Sequence, residues 1–232
     1  MPDAANDDST APLAILGGTF DPLHYGHIRL AEDVARGLNL ASVCLLPTGD
    51  PPHRAPPGAP ARDRVAMVRA GIAGHPLLCV DTREATRSGK SYTYDTLQDL
   101  RADRHGRPIA LVLGADAFLG LPTWHRWREL FDLAHVIVVA RPGTVLTSDA
   151  LPAALREQWN ARYRSNAQAL RQSSAGAIVT QAIAPNAISA SAIRAALARG
   201  EAGARAVAGL LPPAVLAYIR RHRLYGYRPD AP

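Results

Sequence analysis

The chain has 232 residues, 47% hydrophobic and 20% charged, enough apolar material for one sizeable α/β domain burying roughly 70% of its unfolded surface, and too little length for a second full domain. Its 26 basic against 20 acidic side chains give a net charge of +6, and a single lysine, Lys90, leaves the basic side almost wholly to arginine. Arginine's planar fork suits phosphate, a solvated Arg-rich surface carries the same charge, and the balance alone does not choose between nucleic acid and anionic metabolites.

The first ten or so residues, MPDAANDDSTAP onward, are acidic and polar where a secretion signal is basic and then apolar. Residues 1–11 are therefore expected to be a disordered tail. No run approaches the roughly 18 apolar residues that a membrane span needs. Cys44 and Cys79 each lie inside an apolar run, SVCLLP and LLCVD. They are expected to be buried small hydrophobes rather than a disulfide or metal site, which fits a reducing cytoplasm.

From residue 12 onward short apolar runs alternate with helical patterns, the signature of a parallel sheet covered on both faces. Strands are predicted at Leu13–Leu16, Ser42–Pro47, Leu77–Val80, Ile109–Leu113, Val136–Ala140 and Ala177–Ile183. Helices are predicted at His27–Leu38, Arg62–Ala73, Thr93–Arg104, Trp124–Asp132, Ala192–Arg199 and Pro213–His222. The fold class is α/β: a doubly wound, mostly parallel Rossmann-like sheet with a small C-terminal helical part over 189–226, all within one domain spanning 12–226. The stretch TGDPPHRAPPGAPARDR reads as a long loop after the second strand, and loops of that length in compact domains are often functional. Residues 143–175 hold a polar helix-like run near Pro152–Arg171 without a strong apolar stripe, and carry no motif.

Ligands on sheets of this kind bind beyond the carboxyl ends of the strands, and the first strand leaves through GGTFDPLHYGH. The dinucleotide fingerprint fails there because Gly17 and Gly18 are adjacent and the next glycine is Gly26. A Walker loop at Gly89-Lys90-Ser91 fails because Glu84 stands where its first glycine belongs. What remains is a cradle: glycines without Cβ atoms, then His24 and His27 three apart on one face at the amino end of a helix, where free N–H groups and partial positive charge favour anions. A surface or capping pair of histidines is the plainer alternative. No Asp, Glu or Cys completes a metal-ligand set at recognisable spacing. Ser191 reads as the N-cap of AIRAALARG, which closes at Gly200.

These stretches resemble a known family. GGTFDPLHYGH looks like the first signature of the nucleotidyltransferase superfamily built around H-x-G-H, and ISASAIR at 188–194 like its second. PTGDPPHR (47–54), DRVAMV (63–68), SYTYDTL (91–97), GADAFLGLPTWHRW (114–127) and LLPPAVLAYIRRHRLY (210–225) narrow the likeness to bacterial nicotinate-nucleotide adenylyltransferases. Ser191 stands where the family often has Thr, and Arg54 where it often has Lys; hydroxyl and charge both survive.

The resemblance implies adenylyl transfer from ATP to nicotinate mononucleotide, giving deamido-NAD and pyrophosphate, with Mg²⁺ carried by ATP and no dedicated metal site in the protein. Carried over by position, the ATP site would comprise Gly17, Gly18, Thr19, Phe20, His24, His27, Gly114, Asp116, Ser189, Ser191 and Arg194, with His24, His27 and Arg194 as the catalytic group. Asp21 would touch the Mg²⁺ shell only through water, and serves turn formation equally well. Thr93, Trp124 and His125 would hold the nicotinate nucleotide, Trp124 stacking on the pyridine, although a core tryptophan is the plainer reading. His53 and Arg54 would close the proline loop over phosphate. The implied partners are these two small molecules, with no nucleic acid and no membrane. A homo-oligomer is compatible with the sequence. The rivals are another adenylyltransferase of the superfamily, such as the phosphopantetheine enzyme, and a nucleic-acid-binding protein suggested by the arginines.

Overall fold

The computed structural model describes residues 11–49, 57–104, 106–140, 146–184 and 187–229. The chain runs β1 (Leu13–Gly18), α1 (Tyr25–Gly37), β2 (Val43–Pro47), α2 (Ala61–Ile72), β3 (Leu78–Val80), α3 (Arg83–Thr86), α4 (Thr93–Asp103), β4 (Ile109–Gly114), α5 (Ala115–Leu119), α6 (Leu130–Leu133) and β5 (His135–Ala140). It continues through α7 (Ala153–Arg162), α8 (Ala169–Gln172), β6 (Ile178–Ala182), α9 (Ala190–Leu197), α10 (Glu201–Ala206) and α11 (Pro213–His222). The six strands form one sheet in the order β3-β2-β1-β4-β5-β6, and every pair is parallel. This is the doubly wound arrangement expected from the sequence. Its strand order reverses between β1 and β4, where such sheets open a crevice for ligands.

Alternation along the strands builds two cores. Leu13 and Ile15 of β1 face the layer that holds Leu97 and Leu100 of α4, Trp127, Leu130 and Phe131. Ala14 and Leu16 face α1, α2 and the C-terminal helices, with Ile28, Val34, Met67, Val68, Ile193, Leu197, Val215 and Ile219. The C-terminal helices thus share the main core instead of building their own.

Three local expectations change. The helix expected at Trp124–Asp132 is broken: Leu121–Thr123 forms a 3₁₀ turn, Arg126 takes a left-handed conformation (φ 52°), and helix resumes only from Trp127. The break separates two tryptophans, leaving Trp127 buried and Trp124 half-buried. The segment expected to lack a stripe has one, since Leu151, Leu155 and Trp159 recur every four residues and are buried on α7 and its approach. The N-cap of α9 is Ser189, whose side chain accepts from the Ala192 amide, and Ser191 lies inside the helix.

Cys44 and Cys79 are bonded as a disulfide, contrary to their expected role as separate apolar fillers. The β2–β3 register sets the two residues directly opposite each other, with Cα atoms 4.3 Å apart. Register is a tertiary property that spacing in the sequence does not encode, and the argument from free thiols to a reducing compartment falls with it.

Candidate active site

A cavity of about 280 Å³ opens at the carboxyl ends of β1, β2 and β4. Gly17, Gly18 and Thr19 leave β1 along one wall, Thr48 and Gly49 leave β2 along another, and Gly114 leaves β4. The far side is closed by Ser91, Tyr92 and Thr93 at the start of α4, by Glu84, and by Trp124 and His125. Seven of the expected site residues, Gly17, Gly18, Thr19, Thr93, Gly114, Trp124 and His125, therefore share one cavity although their segments are far apart in sequence. Asp116 sits at the surface in the first turn of α5, outside those walls. His53 and Arg54 lie outside the described residues.

The glycines do different jobs. A Cβ on Gly17 would meet nothing within 4 Å, so its backbone is open to an approaching group, whereas one on Gly18 would strike the Phe20 ring at 2.8 Å. Phe20, expected as a nucleotide contact, is 2% exposed and left-handed (φ 49°). Its ring meets His27 edge-on, with ring centroids 5.0 Å apart. It supports the turn and the imidazole from below. Gly49 is required by close approach, because a Cβ there would lie 2.3 Å from the Glu84 carbonyl oxygen.

Beside this cavity lies the amino end of α1. His24 is its N-cap residue in extended backbone, and the His24 amide donates to Nδ1 of His27 at 3.3 Å. The two rings stack with centroids 3.7 Å apart, so the spacing of three does put both imidazoles together. Burial pulls His24 down to about 4, and burial followed by the proximity of His24 pulls His27 down to about 3. At neutral pH both rings are uncharged. His24 is 6% exposed. Among the described residues its Nδ1, the Thr48 hydroxyl and the Ser91 hydroxyl are the buried side-chain polar atoms without a hydrogen-bond partner. Thr48 and Ser91 border the cavity and His24 caps α1, and buried polar atoms left unsatisfied in a native fold concentrate where a ligand or water completes them.

The second signature reaches the first directly. Arg194 of α9 donates to the Asp21 carbonyl at 2.7 Å across 173 residues of sequence. On the same helix Ser189 and Ser191 are exposed, their hydroxyls 2.8 Å apart. Asp21 itself is buried, and both carboxylate oxygens are engaged: Oδ2 accepts from the Gly58 amide at 2.7 Å, and Oδ1 from the Ala59 amide at 3.1 Å and the Tyr225 hydroxyl at 2.7 Å. A carboxylate so occupied anchors loops and has little left for a metal's water shell.

Two residues escaped the reading of the sequence. Arg64 of α2 is 1% exposed and donates to the carbonyls of Thr19, Thr48, Gly49 and Ala59, at 2.8, 2.6, 3.2 and 3.1 Å. It pins both glycine walls and the end of the proline loop with one guanidinium. The signal was present, since Arg64, Met67, Val68, Gly71 and Ile72 make one buried helical stripe and an arginine heads it. Tyr225 had no such periodic signal.

Residues 15–196 match the cytidylyltransferase-like family model. The chain is 46% identical over 215 residues to a probable nicotinate-nucleotide adenylyltransferase of Halorhodospira halophila, covering 93% of this chain and 95% of that one. It is 45% identical over 225 residues to the protein of the same description from Acidithiobacillus ferrooxidans, covering 97% and 99%. Among solved structures it is similar in fold, at a TM-score of 0.70 and 16% identity, to Plasmodium falciparum nicotinic acid mononucleotide adenylyltransferase complexed with NaAD, covering 94% of this chain and 98% of that one. With both signatures meeting at the head of α1, and relatives of this similarity aligned over almost their whole length, the chain belongs to the nicotinate-nucleotide adenylyltransferase family.

Proposed function

We propose that the head of α1 and the adjoining cavity divide the two substrates between them, ATP phosphates over His24, His27, Ser189, Ser191 and Arg194, and nicotinate mononucleotide against Thr93, Trp124 and His125. The reaction is adenylyl transfer from ATP to nicotinate mononucleotide, yielding deamido-NAD and pyrophosphate. The observation that carries the assignment of residues is the contact of Arg194 with Asp21, which joins the two signature stretches at the amino end of one helix.

The nucleophile is a phosphate monoester with a second pKa near 6, so at neutral pH it is mostly dianionic and needs no general base. The protein's work is then alignment and stabilisation of charge. Neutral His24 and His27 supply directed N–H donors to the phosphates near the bond that breaks. Ser189 and Ser191 donate from the start of α9, whose free amides add partial positive charge, and Arg194 clamps the departing pyrophosphate. Gly17 and Gly114 keep the floor low under the nucleotide, while the Trp124 ring stacks on the cationic pyridine of the other substrate. Asp116, at the surface near Gly114, takes ribose hydroxyls.

Mg²⁺ arrives on ATP. Asp21, which would reach the ion's shell only through water, is engaged by protein donors at both carboxylate oxygens. When bound, the ion offsets phosphate charge. The reading puts the enzyme in the cytoplasm with its ATP supply. Among the described residues no helix is long and apolar enough to cross a membrane.

The test is to incubate the protein with Mg-ATP and either nicotinate or nicotinamide mononucleotide, and to measure pyrophosphate release. A site that hydrogen-bonds a carboxylate discriminates against the amide, so release is expected to be faster with the acid. Equal catalytic efficiency on the two would refute the nicotinate assignment, and release with neither would refute the whole reading.

A further inference from the structure

The turn that follows α11 is strained where it meets the first signature. Arg223 and Tyr225 both adopt left-handed backbone (φ 52° and 58°), a region that costs non-glycine residues free energy and persists only where surroundings enforce it. Here the Tyr225 hydroxyl donates to Asp21 Oδ1 at 2.7 Å, across 204 residues. Burial, then the hydrogen bond to Asp21, raises the phenol's pKa far above its ordinary value, so it stays a donor. A Cβ on Gly58 would sit 3.2 Å from both the Tyr225 ring and Cδ of Arg194, so the ring, the end of the proline loop and the Arg194 stem pack as one unit. Arg194 in turn rests one nitrogen on the Asp21 carbonyl at 2.7 Å, with Oδ2 of the same residue 3.6 Å away and its side chain 36% exposed. Asp21 is thus the joint between a C-terminal tyrosine and the guanidinium of the second signature.

We propose that Tyr225 is a positioning residue for the ATP site: through Asp21 it fixes where the Arg194 guanidinium stands, and so sets the grip on the pyrophosphate part of ATP. The inference rests on the reading of Arg194 as the pyrophosphate clamp. The C-terminal turn, outside both signatures, becomes part of the machinery.

The tail holds a second tyrosine that serves as a control. Tyr227 donates to Glu201 at 2.7 Å, which secures the same segment without touching Asp21. The experiment compares Tyr225→Phe, Tyr227→Phe, Arg194→Ala and Tyr225→Phe/Arg194→Ala, measuring KM for ATP, KM for pyrophosphate in the reverse reaction, KM for the mononucleotide, and Tm. Losing a hydrogen bond to a charged acceptor is expected to raise KM for ATP and pyrophosphate roughly tenfold in Tyr225→Phe. The mononucleotide KM is expected to hold, and the effect to vanish once Arg194 is gone. Tyr227→Phe is expected to lower Tm without moving either phosphate KM. A Tyr225→Phe variant with lower Tm and unchanged phosphate KM values overturns the proposal, as do equal shifts in Tyr227→Phe or an effect that persists undiminished in the double variant. Should Arg194→Ala itself leave pyrophosphate KM unchanged, the clamp reading fails, and that result is distinguishable from the others.

Discussion

Replacing Arg64 by methionine keeps most of the side chain's volume and removes its guanidinium from the base of the site. The group donates to four carbonyls on two loops, one at Thr19 after β1 and three at Thr48, Gly49 and Ala59 at the two ends of the loop after β2, the shortest bonds being 2.6 and 2.8 Å to Thr48 and Thr19. Hydrogen bonds from a charged donor net about 1.5–3 kcal/mol each, and a buried acceptor stripped of its partner costs about 1–3 kcal/mol. Against those losses stands the relief of no longer desolvating a cation, several kcal/mol, a penalty visible as a guanidinium pKa held below its ordinary value by burial. Four acceptors against one relieved charge leave a net destabilisation of about 3–5 kcal/mol. For a chain of this size that corresponds to a Tm lower by about 10 °C. A thermal melt reads the stability and a KM for ATP reads the walls at Thr19 and Thr48. Arg64→Lys is expected to recover only part of both, because one compact ammonium cannot span four carbonyls on two loops. A methionine or lysine variant as stable as the parent would show that the fork is not what holds these loops.

Two further outcomes follow from the paired imidazoles. With His24 and His27 held at about 4 and about 3 against 6.5 in the unfolded chain, the unfolded state binds protons that the fold refuses, so stability is full above pH 6.5 and falls as pH drops toward 4; His24 alone contributes roughly 3 kcal/mol to that fall. His24→Gln is expected to flatten denaturant-derived stability between pH 6.5 and 5, and an unchanged slope would contradict the buried neutral pair. His27→Ala is expected to lower kcat about a hundredfold or more while Tm shifts little, as removal of one preorganised donor does elsewhere; near-normal turnover would dissolve the phosphate assignment.

Much of this was legible because the fold is built from local signals. Each strand end is correct to within two residues, since the buried runs are bounded by Gly, Pro or polar turns, and Pro213–His222 was legible to the residue because proline opens the helix. Strand order and register were not legible, which is why the Cys44–Cys79 pairing was missed. Ser189 and Ser191 are equally good caps by composition, and only the geometry of one hydroxyl, which reaches the Ala192 amide, decides between them. The break at Arg126 overrode a helical pattern because a left-handed residue turned Trp124 toward the cavity and Trp127 into the core. Locally Asp21 reads as a turn residue beside Pro22 that would touch the Mg²⁺ shell only through water. Its partners lie 37, 38 and 204 residues away, and no local pattern records contacts at such distances.

The neutrality of the imidazoles bears on how the proposed cradle would discriminate between states. A fixed cation attracts bound triphosphate and departing pyrophosphate much alike, and stabilising ground state and transition state equally leaves kcat where it was. An uncharged N–H is a weaker partner for ground-state phosphate, but its bond strengthens as negative charge gathers on the bridging oxygen. Burial lowers the basicity of His24 and His27, so in the free enzyme they do not add two positive charges to the arginines already present. The permanent charge comes instead from Arg194, which rests on the Asp21 backbone, and from Arg64, which lies beneath the glycine walls with its fork turned to carbonyls. In the proposed cradle such a division would leave binding to the cations and reserve the imidazoles for the charge that appears only as the phosphorus–oxygen bond breaks.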